Sequence, residues 1–101
     1  MNKVFMRISK LQSQVLFYLY AIEQKKGIEP VPSMDLYNLV NKVNNYQVAD
    51  RNFRPSCHKL KEHGLIEIFR NSSLKISWQL SDLGREKAEA IYQQFISAMG
   101  D

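Results

Sequence analysis

The sequence predicts a mainly α-helical domain carrying one small β-hairpin. Three observations lead there. Apolar residues recur at helical spacing within four segments, near residues 9–27, 33–44, 51–63 and 82–98, as they do where a helix buries one face. Apolar and polar residues alternate over 74–81, the period of a half-buried strand. Capping and breaking residues (Ser9, Gly27, Ser33, Gly64 and Ser81) stand at the segment boundaries.

The first helix is expected to start after Ser9 as N-cap, with Leu11, Val15, Leu19 and Ile22 on one face. Phe17, Tyr18 and Tyr20 make it apolar nearly all round, which suits a helix central to the core or shared with a second chain. The same aromatics would also suit a strand. "EQKKG" ends it, with basic residues in the last turn and Gly27 as C-cap. "IEPVPS" holds Pro30 and Pro32 and reads as a connector. Ser33 is expected to cap a second helix bearing Leu36, Leu39, Val40 and Val43, which stops near "NNY".

A third helix is expected to begin around residues 51–53, its start set by Pro55, which is tolerated only near a helix start. Gly64 closes it. Ile66 and Ile68 then form one strand edge, "RNSS" (70–73) the turn, and Leu74, Ile76, Trp78 and Leu80 the inward residues of the second strand. Ser81 caps a last helix over about 82–98, whose wide apolar stripe holds Ala88, Ile91, Tyr92, Phe95, Ile96 and Met99.

At 101 residues, 45% hydrophobic and 11% aromatic, the chain suits a single domain over 1–101 with a real core and is too apolar for a disordered segment. Its formal charge is +4, unevenly spread: residues 1–80 carry +6 and residues 81–101 carry −2. A basic body fits a polyanionic partner, although an unevenly charged soluble surface accounts for the same balance. Cys57 is the only cysteine, so an intrachain disulfide is impossible and a reducing cytoplasm is the expected location. The longest apolar run, "VLFYLYAI", has eight residues against the roughly 20 a membrane span needs. "MNKVFMRISK" has no signal-peptide core.

Three helices, then a hairpin, is the order of a winged helix-turn-helix, and two motifs sharpen the likeness. "LKEHGLIEI" resembles the end of a recognition helix entering the first wing strand. "WQLSDLGREKAEAI" resembles the "x-L-T-x-x-G-R" entry to the C-terminal helix in MarR-like and PadR-like bacterial transcriptional regulators, with Ser81 keeping the capping hydroxyl of the usual Thr. The likeness spans about residues 33–92. Phe53 and Cys57 depart from the usual small or aliphatic residues, and the link "VNNYQVAD" is longer than the usual tight turn. The resemblance implies a winged helix-turn-helix with an added C-terminal helix: helix-turn-helix and wing over about 33–80, and terminal helices at 1–27 and 82–101 for dimerisation. It also implies a DNA-binding regulator.

With Leu60 at the centre of the buried side, a step of about 100° per residue puts Phe53, Ser56 and Cys57 within about 60° of it. The basic groups avoid that stripe. Arg51, Asn52, Arg54 and His58 are the candidate base readers of a recognition helix over about 51–63 in the major groove. Lys59 and Lys61, with Ser33 at the start of the second helix, are candidates for phosphate contacts. The wing, 66–80, offers Arg70, Asn71, Ser72, Ser73 and Lys75 to the backbone or the minor groove. Against these stand blander readings: a solvated helix face, charged edge protection at the wing and a plain cap at Ser33.

His58 and His63 diverge by about 140° around a helix, so neither a metal site nor any other cofactor is expected. Cys57 falls on the buried face, where a core filler is the ordinary reading. No phosphate loop, nucleophile elbow or paired acids stand in a recognisable frame, and an enzyme is not expected. Nothing argues for a small-molecule effector pocket.

The apolar excess of the terminal helices predicts a homodimer through Leu19, Ile91, Tyr92, Phe95, Ile96 and Met99, with "KVFMRI" as a further contributor. The expected function is thus a dimeric, sequence-specific double-stranded DNA binder, a repressor or other regulator. The alternatives are a winged-helix module that binds protein, and a plasmid or phage partition or DNA-organising protein with weak sequence choice.

Overall fold

Side-chain caps hold the starts of the first and last helices. The computed structural model describes residues 8–44 and 47–100; Lys3 to Arg7 of the "KVFMRI" segment lie outside them. Helix α1 (Lys10–Lys26) opens on a reciprocal capping box: Ser9 Oγ accepts the Gln12 N–H at 3.1 Å, and Gln12 Oε1 accepts the Ser9 N–H at 2.9 Å. It ends at Gly27, whose φ of 90° suits glycine. Helices α2 (Ser33–Val43), α3 (Asp50–Glu62) and α4 (Asp82–Met99) all meet α1 or its neighbours around one core. The wide apolar girth of α1 is thereby absorbed within the chain, with Val15, Leu16 and Leu19 fully buried.

The expected connector at residues 28–33 contains a strand. Val31–Pro32 forms β1, pairing Val31 with Trp78 and Pro32 with Ser77. With β2 (Ile66–Arg70) and β3 (Ile76–Leu80) it makes an antiparallel sheet of order β1-β3-β2. β1 is an edge strand, which is where proline is tolerated.

Ser33 is the first helical residue of α2, and the N-cap is Pro32, which has no side-chain bond to give. The Ser33 hydroxyl oxygen accepts the Trp78 indole N–H at 3.2 Å, tying α2 to the sheet. Leu36 and Val40 are fully buried, whereas Val43 is exposed.

Helix α3 begins at Asp50, just before the expected start, so Pro55 is its sixth residue. The Ala49 carbonyl accepts the N–H groups of Asn52 and Phe53 at 2.9 and 3.0 Å. Phe53, buried one turn in, anchors that end. Pro55 deprives the Arg51 carbonyl of its usual helical donor, and its ring lies on the exposed side. At the other end Gly64 adopts φ 78°, and the Leu65 N–H returns to the Leu60 carbonyl at 3.0 Å.

In the hairpin, Ile66, Trp78 and Leu80 are buried as the alternation predicts, but Leu74 is not. It lies in the turn, with φ 63°, a left-handed conformation that costs a non-glycine residue about 1–2 kcal/mol. Ser81 Oγ accepts the Gly84 N–H at 3.0 Å and donates to the Gly64 carbonyl at 2.6 Å, capping α4 and pinning it to the end of α3. Gly84 is required there, because a Cβ on it would overlap the Leu65 carbonyl oxygen.

Candidate nucleic-acid interface

The core anchors helix α3 along one stripe. Phe53, Cys57 and Leu60 are at most 1% exposed and fill the core, and Gln12 of α1 reaches the Ser56 carbonyl at 3.5 Å. Ser56 is half-buried and bonds its own helix, its hydroxyl donating to the Asn52 carbonyl at 2.9 Å. Around the rest of its circumference Arg51, Asn52, Arg54, Lys59 and Lys61 are all exposed. Burial pushes the Cys57 thiol up to about 12, so it stays protonated and inert at neutral pH.

Not every candidate base reader stands free. Arg54 Nε lies 2.8 Å from Asp50 Oδ2, one helical turn earlier, with both side chains more than half exposed. The four-residue spacing of Asp50 and Arg54 is the sequence signal of this pair. Such an exposed pair adds little stability, but it holds the guanidinium while its outer nitrogens remain available. His58 differs from its expected outward placement. It is half-buried, edge-on to the Trp78 ring at 5.2 Å. That contact joins α3 to β3, and no local pattern signals it.

Between α2, α3 and the wing lies a cleft of about 410 Å³. Ser33 and Met34 line it from the start of α2, Arg54 and His58 from α3, and Leu74 and Lys75 from the wing. The three structures from which the sequence reading draws DNA contacts thus converge on one concavity. The first turn of α2 has no side-chain cap, so its backbone donors lack that partner. Lys59 and Lys61 do not line it. Asp50 also faces the cleft, an acidic group that works against a purely anionic occupant.

At the wing, residues 70–75 are all exposed. Asn71 has a structural task, its side-chain oxygen accepting the N–H groups of Ser73 and Lys75 at 2.8 and 3.0 Å. Arg70, Ser72, Ser73 and Lys75 make no side-chain hydrogen bond among the described residues.

Away from this face, α1 and α4 pack through rings. Phe17 lies 5.5 Å from Tyr92 and 4.9 Å from Phe95. Phe95, Ile96 and Met99 remain exposed, while Ile91 and Tyr92 are half-buried. Leu19, expected at a subunit interface, is 1% exposed and belongs to the core, so it has no surface to offer a partner. A partly buried ion pair also joins α1 to α4: Arg85 donates to both carboxylate oxygens of Glu23 at 2.8 and 3.0 Å. The Glu23 hydrogen bond, opposed by burial, raises the Arg85 guanidinium above its usual value. Among the described residues no cluster of metal-ligating side chains forms, and no helix is long and apolar enough to cross a membrane.

No protein-family model matches the chain, and no curated protein matches it. Solved structures do. SSV1 F-93 superposes with a TM-score of 0.68 at 19% identity, over 99% of this chain and 98% of that one. MepR, a transcription regulator of the Staphylococcus aureus multidrug efflux pump MepA, gives 0.70 at 19% identity, over 92% of this chain but 62% of its own. F93 from STIV, described as a winged-helix DNA-binding protein, gives 0.66 at 12% identity, over 89% and 92%. At these identities the likeness is one of fold: the chain is a winged helix-turn-helix, α2 and α3 forming the helix pair and β2–β3 the wing.

Proposed function

We propose that the chain is a DNA-binding regulator, acting as a homodimer and reading double-stranded DNA with α3 in the major groove and the wing on the backbone or minor groove. One observation carries this reading. Outside its buried stripe α3 exposes Arg51, Asn52, Arg54, Lys59 and Lys61, and the wing and the start of α2 share a cleft with Arg54. An α-helix fits the major groove, arginine pairs bidentately with guanine and asparagine with adenine. Arg51, Asn52 and Arg54 are the proposed readers, with His58 at the cleft wall in a supporting place. Lys59, Lys61 and the start of α2 at Ser33 meet phosphates. The same fold in F93 from STIV, described as DNA-binding, supports the reading.

The proposed dimer forms through the outer half of α4, where Phe95, Ile96 and Met99 are exposed beside Ile91 and Tyr92. It would set two recognition helices roughly 34 Å apart for a near-palindromic site. Repression, a cytoplasmic location and the absence of catalysis belong to the same proposal. Selecting bound duplexes from random DNA, followed by salt titration, tests it. The expected result is a shared motif and an affinity that falls steeply with salt. A chain that random duplex DNA or heparin does not retain at low salt is instead a protein-binding module, a reading favoured by the apolar Met34, Leu74 and Trp78 in the cleft. Equal competition by unrelated DNA would point to a DNA-organising role.

A further inference from the structure

The tip of the wing is built in a way that folding does not reward. The Asn71 N–H donates to the Lys75 carbonyl at 3.1 Å, and the Leu74 N–H to the Asn71 carbonyl at 2.9 Å. The loop is a tight turn followed by one left-handed residue, a position that favours glycine or asparagine. Leucine occupies it, at φ 63°. No burial compensates, since Leu74 is 73% exposed. A residue that opposes the fold both in its backbone and in its solvation points to a use outside the fold.

Its surroundings indicate which use. Arg70 and Lys75, both exposed cations, bracket the tip, and Ser72 and Ser73 complete it. An apolar point between cations matches a surface with anionic walls and a less polar interior, the phosphates and the floor of a DNA minor groove. Proteins that enter that groove push leucine, methionine or phenylalanine between base steps and kink the duplex.

We propose that Leu74 is an apolar wedge with which the wing enters the minor groove and opens a base step, so that the chain bends its DNA. The inference rests on the DNA-binding reading above and adds a mechanical activity to it. It also implies a preference for easily unstacked pyrimidine–purine steps where the wing lands, at positions no side chain reads by hydrogen bonds.

The test uses the full chain and a duplex of about 30 base pairs, selected by the wild type from random DNA and labelled at both ends for energy transfer. The wild type is expected to bend it within the roughly 20–90° range of wedge-bearing proteins. Leu74→Asn tolerates the left-handed backbone and removes the wedge. It is expected to melt no lower than the wild type, to lose the bend, and to bind roughly 10- to 100-fold more weakly, the range matching one buried leucine side chain. Leu74→Met is expected to keep the bend. An Asn variant that bends DNA like the wild type overturns the inference alone. So does one that melts well below the wild type, because the leucine would then be structural. A wild type that binds no duplex overturns the DNA-binding reading itself, and the wedge with it.

Discussion

Arg54 and Lys61 sit on the same exposed side of α3, yet their expected roles differ. Arg54 is steadied by Asp50 at 2.8 Å and presents a planar fork suited to a base edge. Lys61 is an exposed point charge near the end of the helix. Arg54→Ala is expected to cost about 1–3 kcal/mol against the preferred site and to relax base choice at one position. Lys61→Ala is expected to weaken all sequences alike and to lower the salt slope by about 1. Binding measured on matched and mismatched duplexes at several salt concentrations checks both. Cys57 offers a test of the helix docking. Its thiol is pushed from 9.0 up to about 12 by burial. The unfolded chain therefore loses this proton first, and the contribution of Cys57 to stability is complete below about pH 9 and declines toward pH 12. Over that window unfolding titrations should show a loss approaching 1.4 kcal/mol per pH unit, which Cys57→Ala removes. At this scale the sequence was informative wherever burial follows helical period: Phe53, Cys57 and Leu60 are inside and the arginines outside. It was uninformative about His58, because Trp78, the ring it rests on, comes from another element.

Among the elements, boundaries set by a nearby cap were legible and those set by distant partners were not. Ser9, Gly27, Gly64 and Ser81 mark ends of α1, α3 and α4 by bonds within a few residues, and all four do so as expected. Ser33 illustrates the other case, since its hydroxyl serves Trp78, 45 residues away, rather than the helix it begins. The strand β1 was hidden for the same reason, being two residues long and held by β3. Beside their aromatic packing, α1 and α4 are linked by Glu23 and Arg85, with the Glu23 side chain 5% exposed. Glu23→Gln removes the buried counter-charge and leaves the guanidinium, itself 25% exposed, with only the exposed Asp82 carboxylate at 3.1 Å. Breaking a fully buried pair costs about 3–5 kcal/mol, and the partial exposure of Arg85 and its remaining bond to Asp82 place the expected loss below that range. A melting curve of Glu23→Gln beside one of the double variant Glu23→Gln with Arg85→Met checks it. The double variant should recover part of the loss, because no charge is then stranded.

For the molecule as a whole, the proposed recognition face and the proposed dimer face lie on different elements, α3 with the wing and the outer half of α4. Association can therefore be broken without touching the DNA surface. Ile96→Glu with Met99→Glu places charge on two exposed residues that take no part in the aromatic packing of α1 on α4. Sedimentation is expected to show a dimer for the wild type at tens of micromolar and a folded monomer for this variant. The monomer should bind a half-site alone, and far more weakly than the dimer binds both. A monomeric wild type under these conditions would sink the dimer proposal and leave the reading of α3 intact.

By itself the sequence determined the four helices, the hairpin and their order, and it marked one side of α3 as basic. These follow from period and capping, which act over a few residues and are written along the chain. The tertiary structure decided the rest. It moved Leu19 from a supposed interface into the core, turned His58 toward Trp78 and recruited Val31–Pro32 into the sheet. It also left Leu74 exposed in a left-handed turn where alternation placed it inward. Each of these depends on which distant surface arrives at a residue, and periodicity gives the direction of a side chain without naming what it meets.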